Sequence, residues 1–178
     1  ILVCLVGSEM CIRDSFECIP QSIFNISDVE ETGKDFEENA ILKAKNAFIK
    51  TNISSVGDDS GLIVPAINNE PGLYSARYAG LNATDSDNRN KLISKLKDNK
   101  LESTYAYFFC CIVAVGIKGQ NEIIVCDGKV EGEVRTIERG EKGFGYDPMF
   151  YPKGYSESFA ELNSCLLYTS PSPRDTRE

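Results

Sequence analysis

The second half of the chain contains a stretch that commits it to a sheet. Tyr105 to Ile117 and Glu122 to Cys126 are dense in β-branched and aromatic residues, Gly119-Gln120-Asn121 joins them, and Asp127-Gly128 leads into a third such run, Val130 to Ile137. Side chains of this kind suit a pleated, half-buried surface, and short links of Gly, Asn and Asp fold a strand back on its neighbour. The spacing predicts a three-stranded antiparallel meander. Two helices are expected before it. In DFEENAILKAKNAFIK, residues 35 to about 50, Phe36, Ala40, Ile41, Ala44, Ala47 and Phe48 share one face, and Asp35 and Glu38 have the spacing of a capping pair. The second spans about Asp85 to Asp98, with Thr84 as its cap and Leu92, Ile93 and Leu96 facing inward. The fold class is therefore α/β, with a mixed sheet flanked by helices.

Between the helices, Ile53 to Ile67 reads as extended chain broken by Pro65, and it carries an acidic pair, Asp58-Asp59, in VGDDSGLI. Neighbouring residues of a strand face opposite ways, so only one of the two carboxylates can serve a given cleft. Composition narrows what it can serve. A net charge of -8 opposes binding to a nucleic acid backbone, and no basic cluster offsets it. The chain has no histidine, so histidine triads, Cys/His zinc sites and imidazole acid-base chemistry are excluded, leaving carboxylates, lysines or a metal held by oxygen.

The two ends read differently from the middle. Met10-Cys11-Ile12-Arg13-Asp14 and Leu166-Leu167-Tyr168-Thr169 decode from one DNA element read in opposite directions, and GSEMCIRDS and CLLYTSPSPRD resemble translated sequencing-library adapter. Residues 1–15 and 165–178 are accordingly expected to be non-native, and residues 16–164 to form one domain without repeats or linkers. Of the cysteines in that domain, Cys110-Cys111 lies in an apolar run and no CxxC occurs, which predicts reduced thiols in a cytoplasmic protein.

Three polar clusters sit at the edges of these elements: Glu30-Glu31-Thr32-Gly33 before the first helix, Asp58-Asp59-Ser60-Gly61, and the glycine-rich turn from Arg139 to Pro148. The glycines let backbone approach a ligand closely, and Phe144 and Tyr146 offer flat faces to a base. A hard cation such as Mg²⁺ needs few protein carboxylates and completes its shell with water and phosphate oxygens. One carboxylate from Glu30-Glu31 and one from Asp58-Asp59 would suffice.

Taken in order, EETGKDFEENAILKA, DDSGL, PGLYSARYAG, EGEVR, RGEKGFGYDPMF and FAEL closely resemble the inosine and xanthosine triphosphate pyrophosphatase family, over about Glu30 to Leu162. The resemblance implies an elongated α/β fold with a long mixed sheet, a homodimer, Mg²⁺ dependence, and hydrolysis of ITP, dITP or XTP to the monophosphate and pyrophosphate. It assigns the catalytic base to Asp59 and a substrate contact to Ser60, and places Asp58 on the opposite face in a hydrogen-bonding role. It gives the acidic metal ligand to Glu31 or its neighbour Glu30, with Glu31 favoured because it precedes the Thr-Gly turn, and makes Asp59 the second ligand. Phe144, Gly145, Tyr146 and Asp147 match the purine-binding motif, by aromatic stacking and backbone contacts. The family's opening phosphate loop and lysine, and its closing Ser-His-Arg stretch, have no counterpart here, so an internal fragment that binds nucleotide without turnover is the alternative expectation. No DxD arrangement of the haloacid-dehalogenase kind occurs, and neither a membrane nor a nucleic acid is an expected partner.

Overall fold

Two helices are set by their caps. In α1 (Phe36–Thr51) the Asp35 side chain accepts from the Glu38 N–H at 2.8 Å, and the Glu38 carboxylate accepts in turn from the Lys34 N–H at 2.8 Å. In α2 (Asp85–Asp98) Thr84 and Asp87 close a reciprocal capping box, satisfying donors that a helix start leaves unpaired. Both helices lie where the sequence predicts them. The computed structural model describes residues 2–4, 18–117 and 122–162. The segments 5–17 and 163–178, which hold most of the adapter-like sequence, and the predicted Gly119-Gln120-Asn121 link fall outside the described residues.

The strands are β1 (Leu2–Cys4), β2 (Cys18–Pro20), β3 (Ser55–Val64), β4 (Glu70–Pro71), β5 (Ser103–Val115), β6 (Ile123–Arg135) and β7 (Phe150–Pro152). They form one mixed sheet in the order β2-β1-β3-β5-β6-β7, with β4 paired to β3. β1 runs parallel to both β2 and β3, Val3 opposite Ile19 and Ser55, whereas β4 is antiparallel to β3 and β7 antiparallel to β6. Three of the residues set aside as adapter-like thus occupy a strand position.

The meander needs correction. β6 continues through Asp127-Gly128, where a turn was expected, and Gly128 keeps the ordinary negative φ of extended chain. An Asp-Gly pair turns a strand only when it adopts positive φ. Here the residues on both sides continue one ladder, so the third strand on that path is β7, with Val134 opposite Phe150.

The chain divides into two compact units. In the first, Ile1–Ser60 with Cys110–Asp127, β3 lies directly on α1. Ala40, Ala44 and Ala47 are fully buried, and a Cβ on Gly57 would come within 2.6 Å of the Ala44 nitrogen and 2.7 Å of the Ala40 oxygen. Alanines on the helix and a glycine on the strand allow this approach. The second unit, Gly61–Phe109 with Gly128–Glu178, packs Leu62, Val64, Leu92, Leu96, Ala106, Val134, Met149 and Phe150 into a core. Phe108 meets the Phe150 ring edge-on at 4.7 Å, and Phe159 closes the group at 4.9 Å from Phe150. Among the described residues no helix is long and apolar enough to cross a membrane.

Candidate active site

The close contact at Gly57 determines which aspartate faces the helix. Side chains two apart on a strand share a face, so Asp59 follows Gly57 toward α1 and Asp58 points away. Asp59 is 8% exposed. Its Oδ1 accepts from the Lys43 ammonium at 2.8 Å and its Oδ2 from the Asn39 amide at 3.1 Å. Asn39 and Lys43 are one helical turn apart, which brings both to the same strand residue. The Asn39 oxygen also accepts from the Gly33 N–H at 2.8 Å, so one buried amide ties the turn before α1 to the acidic strand. Lys43 reaches further, to Glu31 Oε1 at 2.8 Å and to the Asp58 carbonyl at 3.0 Å.

Glu31 and Asp59 thus converge on a single ammonium. Burial pulls Lys43 down, but the hydrogen bonds and charges of Asp59 and Glu31 outweigh it and hold the ammonium above its ordinary value. Asp58 behaves in the opposite way: burial pushes its carboxyl up, Lys43 opposes that, and the Asp59 charge adds to it. The sequence-predicted residues of this unit therefore separate. Asp59 and Glu31 are brought together through Lys43, Ser60 is exposed and follows Asp59 on the chain, and Glu30 is exposed with its carbonyl bonded to the Thr32 N–H at 3.1 Å. Among the described residues no group of three or more His, Cys, Asp or Glu side chains is placed to hold a metal. Mg²⁺ does not require three protein carboxylates. Two oxygens that already share one cation fit its needs.

Lys43 and Asn39 are the residues missed by reading the sequence. The available signal was their spacing: two polar side chains four apart beside the alanine stripe of α1. Asn39 is 1% exposed, and its replacement by alanine strands the Gly33 N–H and the Asp59 Oδ2 together. Asn39→Ala should lower stability by about 2 kcal/mol, read as a drop in the thermal midpoint, whereas an unchanged midpoint would mean that water replaces the amide.

The second unit contains the other predicted cluster, and here the structure corrects one assignment. Tyr146 is 4% exposed, its ring lies in the core, and its hydroxyl donates to the Ser75 carbonyl at 2.9 Å. Burial, with the Asp85 charge, pushes its phenol well up. A buried ring cannot stack on a base, so of the two aromatics only Phe144, 81% exposed, presents its face. Asp147 closes its own turn: its Oδ2 accepts from the Phe144 N–H at 3.0 Å, and burial raises its carboxyl despite that bond. Gly145 donates to Asp85 Oδ2 at 2.7 Å and accepts at its carbonyl from Arg89 Nη1 at 2.8 Å.

Residues 9–165 match the Ham1 family. A dITP/XTP pyrophosphatase of Legionella pneumophila (strain Lens) is 47% identical over 145 residues, covering 82% of this chain and 75% of its own. One from Coxiella burnetii (strain RSA 493 / Nine Mile phase I) is 41% identical over 160 residues, covering 89% and 80%. Among solved structures, a HAM1 protein from Coxiella burnetii superposes with a TM-score of 0.83 at 35% identity, covering 93% of this chain and 88% of that one. The Staphylococcus aureus Ham1 protein gives 0.79 at 40% identity, covering 92% and 86%.

Proposed function

The chain belongs to the Ham1 family, and on that premise we propose that it hydrolyses non-standard purine nucleoside triphosphates, dITP, ITP and XTP, to the monophosphate and pyrophosphate. The observation that carries the reading at residue level is the convergence of Glu31 and Asp59 on Lys43. Reaction at the α-phosphorus forms a bond from a water oxygen to phosphorus and breaks the bridge to the β-phosphate, so pyrophosphate leaves intact. Asp59 is the group that takes the water proton. A carboxylate has about four acceptor sites, and two of those on Asp59 are taken by Lys43 and Asn39, which fix its plane and leave acceptor capacity for a water.

Glu31 and Asp59 would hold a divalent cation, for which Mg²⁺ is the candidate. When bound it supplies charge neutralisation for the phosphates. Lys43 keeps the two carboxylates in place and gives the anionic pair a positive neighbour. The family resemblance makes Ser60 of the first unit a substrate contact and Phe144 of the second unit the residue that stacks on the purine, and each is exposed in its own unit. Glu30 stands as the second choice for the metal. A homodimeric state belongs to the same reading and rests on the family resemblance. A cytoplasmic location rests also on the free thiols of Cys110, Cys111 and Cys126, the first two pushed up to about 11 by burial.

The test is product identity and selectivity. Incubated with Mg²⁺, the protein should release pyrophosphate from dITP and XTP with kcat/KM about a hundredfold above that for ATP, since a site that pairs a 6-oxo purine leaves buried groups unpaired with an amino purine. Orthophosphate as the product, or equal rates with ATP, would overturn the reading.

A further inference from the structure

We propose that Asp85 and Arg89 of α2 are positioning residues that aim the Phe144 ring, an inference that rests on the reading of Phe144 as the purine-stacking face. Phe144 is 81% exposed, so side-chain packing does not fix it. Its neighbours are Gly143 at φ +77° and Gly145 at φ +57°, which gives this short segment the widest backbone freedom a chain can have. A stacking ring on such a segment would have to be ordered by the ligand, at the expense of affinity.

The backbone bonds supply the order instead. Asp147 ties the turn to itself, through the Phe144 N–H at 3.0 Å and its own N–H to the Phe144 carbonyl at 3.1 Å. Helix α2 ties the turn to the scaffold. Asp85 and Arg89 are four apart and share a helix face, and between them they take both polar groups of Gly145, the N–H at 2.7 Å and the carbonyl at 2.8 Å. Both bonds involve a charged side chain, the stronger kind. Arg89 is also paired in charge with Glu138, Nε to Oε2 at 3.1 Å with its side chain 16% exposed, although the Nε–H itself makes no hydrogen bond. A glycine with donor and acceptor both clamped has lost the freedom that its φ permits, and the backbone of Phe144, with the direction in which its side chain leaves the turn, is fixed with it.

The chain contains no tryptophan, so Phe144→Trp introduces a single tryptophan at the ring in question, excited apart from the eight tyrosines at the red edge of their absorption. Its time-resolved anisotropy should combine the fast wobble of an exposed side chain with tumbling of the whole protein, and adding Arg89→Met or Asp85→Ala should add a nanosecond component from motion of the turn, with Arg89→Lys partly restoring the parent signal. On dITP, Arg89→Met should raise KM about tenfold and leave kcat within about twofold. In a Phe144→Ala background the same substitution should add nothing, because a positioning residue acts only through the group that it positions. Unchanged anisotropy in both single variants, or a KM effect that persists in full without the Phe144 ring, would overturn the proposal. If the parent protein does not release pyrophosphate from dITP, the functional reading fails by itself, and the anisotropy still decides whether α2 clamps the turn.

Discussion

Asp59→Asn should fold, and its pyrophosphate release from dITP should be about a thousandfold slower. An amide retains the shape of the carboxylate and can still accept from Lys43, but it cannot take a proton from water. The substitution has a second effect that the structure makes specific. With its oxygen turned to the Lys43 ammonium, the new amide presents its NH₂ to the Asn39 NH₂. Asn39 cannot reverse its own amide, because its oxygen is held by the Gly33 N–H. Two donors then face each other in a buried position, at a cost of about 1 kcal/mol, so the thermal midpoint should fall by a few degrees while circular dichroism keeps its native form. Asp58→Asn is the contrast. Burial holds the Asp58 carboxyl above its ordinary value, so the fold favours the protonated form; that preference is expressed below pH 3.8, is lost as pH rises through the raised value, and leaves the anion as a cost at neutral pH. Removing that charge should leave turnover within about twofold of the parent and the midpoint equal or higher. If Asp58→Asn abolished turnover and Asp59→Asn did not, the assignment of faces on β3 would be reversed.

The elements that depend on local chemistry were readable from the sequence. Asp35, Thr84 and the alanine stripe specify both helices, because caps and 3.6-residue periodicity act over neighbouring residues. The alternation at Asp58-Asp59 limited the choice to one carboxylate per face, but the sequence alone did not say what each face meets. That required Gly57, whose missing side chain brings the strand onto Ala40 and Ala44. Non-local features were harder to see. Asp127-Gly128 has the composition of a turn, yet β6 passes through it because its partner strand continues opposite, so tertiary pairing overrides local preference. Tyr146 and Phe144 look equivalent in the sequence, two aromatics on either side of one glycine, and only burial distinguishes the core ring from the exposed one. Lys43 was overlooked for a related reason. A lysine on a helix is most often a solvated charge, and its role here depends on Glu31 and Asp59, which lie 12 and 16 residues away along the chain.

That dependence gives a stability prediction with its own pH and cation signature. Lys43→Met keeps the length of the side chain and removes the charge that Glu31 and Asp59 share, leaving two carboxylates, with side chains 24% and 10% exposed, close together without their ammonium. Breaking a fully buried pair from one side costs about 3–5 kcal/mol. Here the side chains retain some water, which screens the charges, and about 2 kcal/mol is the expected loss at neutral pH, or roughly 5 °C in the thermal midpoint. The pH dependence has a definite sign. Because the folded protein holds Lys43 above the ordinary lysine value of 10.5, its contribution is fully present below pH 10.5 and is lost as pH rises through the raised value, so the gap between parent and variant should stay constant through neutral pH and close only in strong alkali. Cations provide the decisive comparison. If Glu31 and Asp59 are the carboxylates that accept a divalent ion, the variant has the stronger need for one, and millimolar Mg²⁺ should raise its midpoint by several degrees more than it raises that of the parent. Equal shifts in the two proteins would mean that Mg²⁺ binds elsewhere, and a Lys43→Met protein as stable as the parent would mean that water already screens the pair.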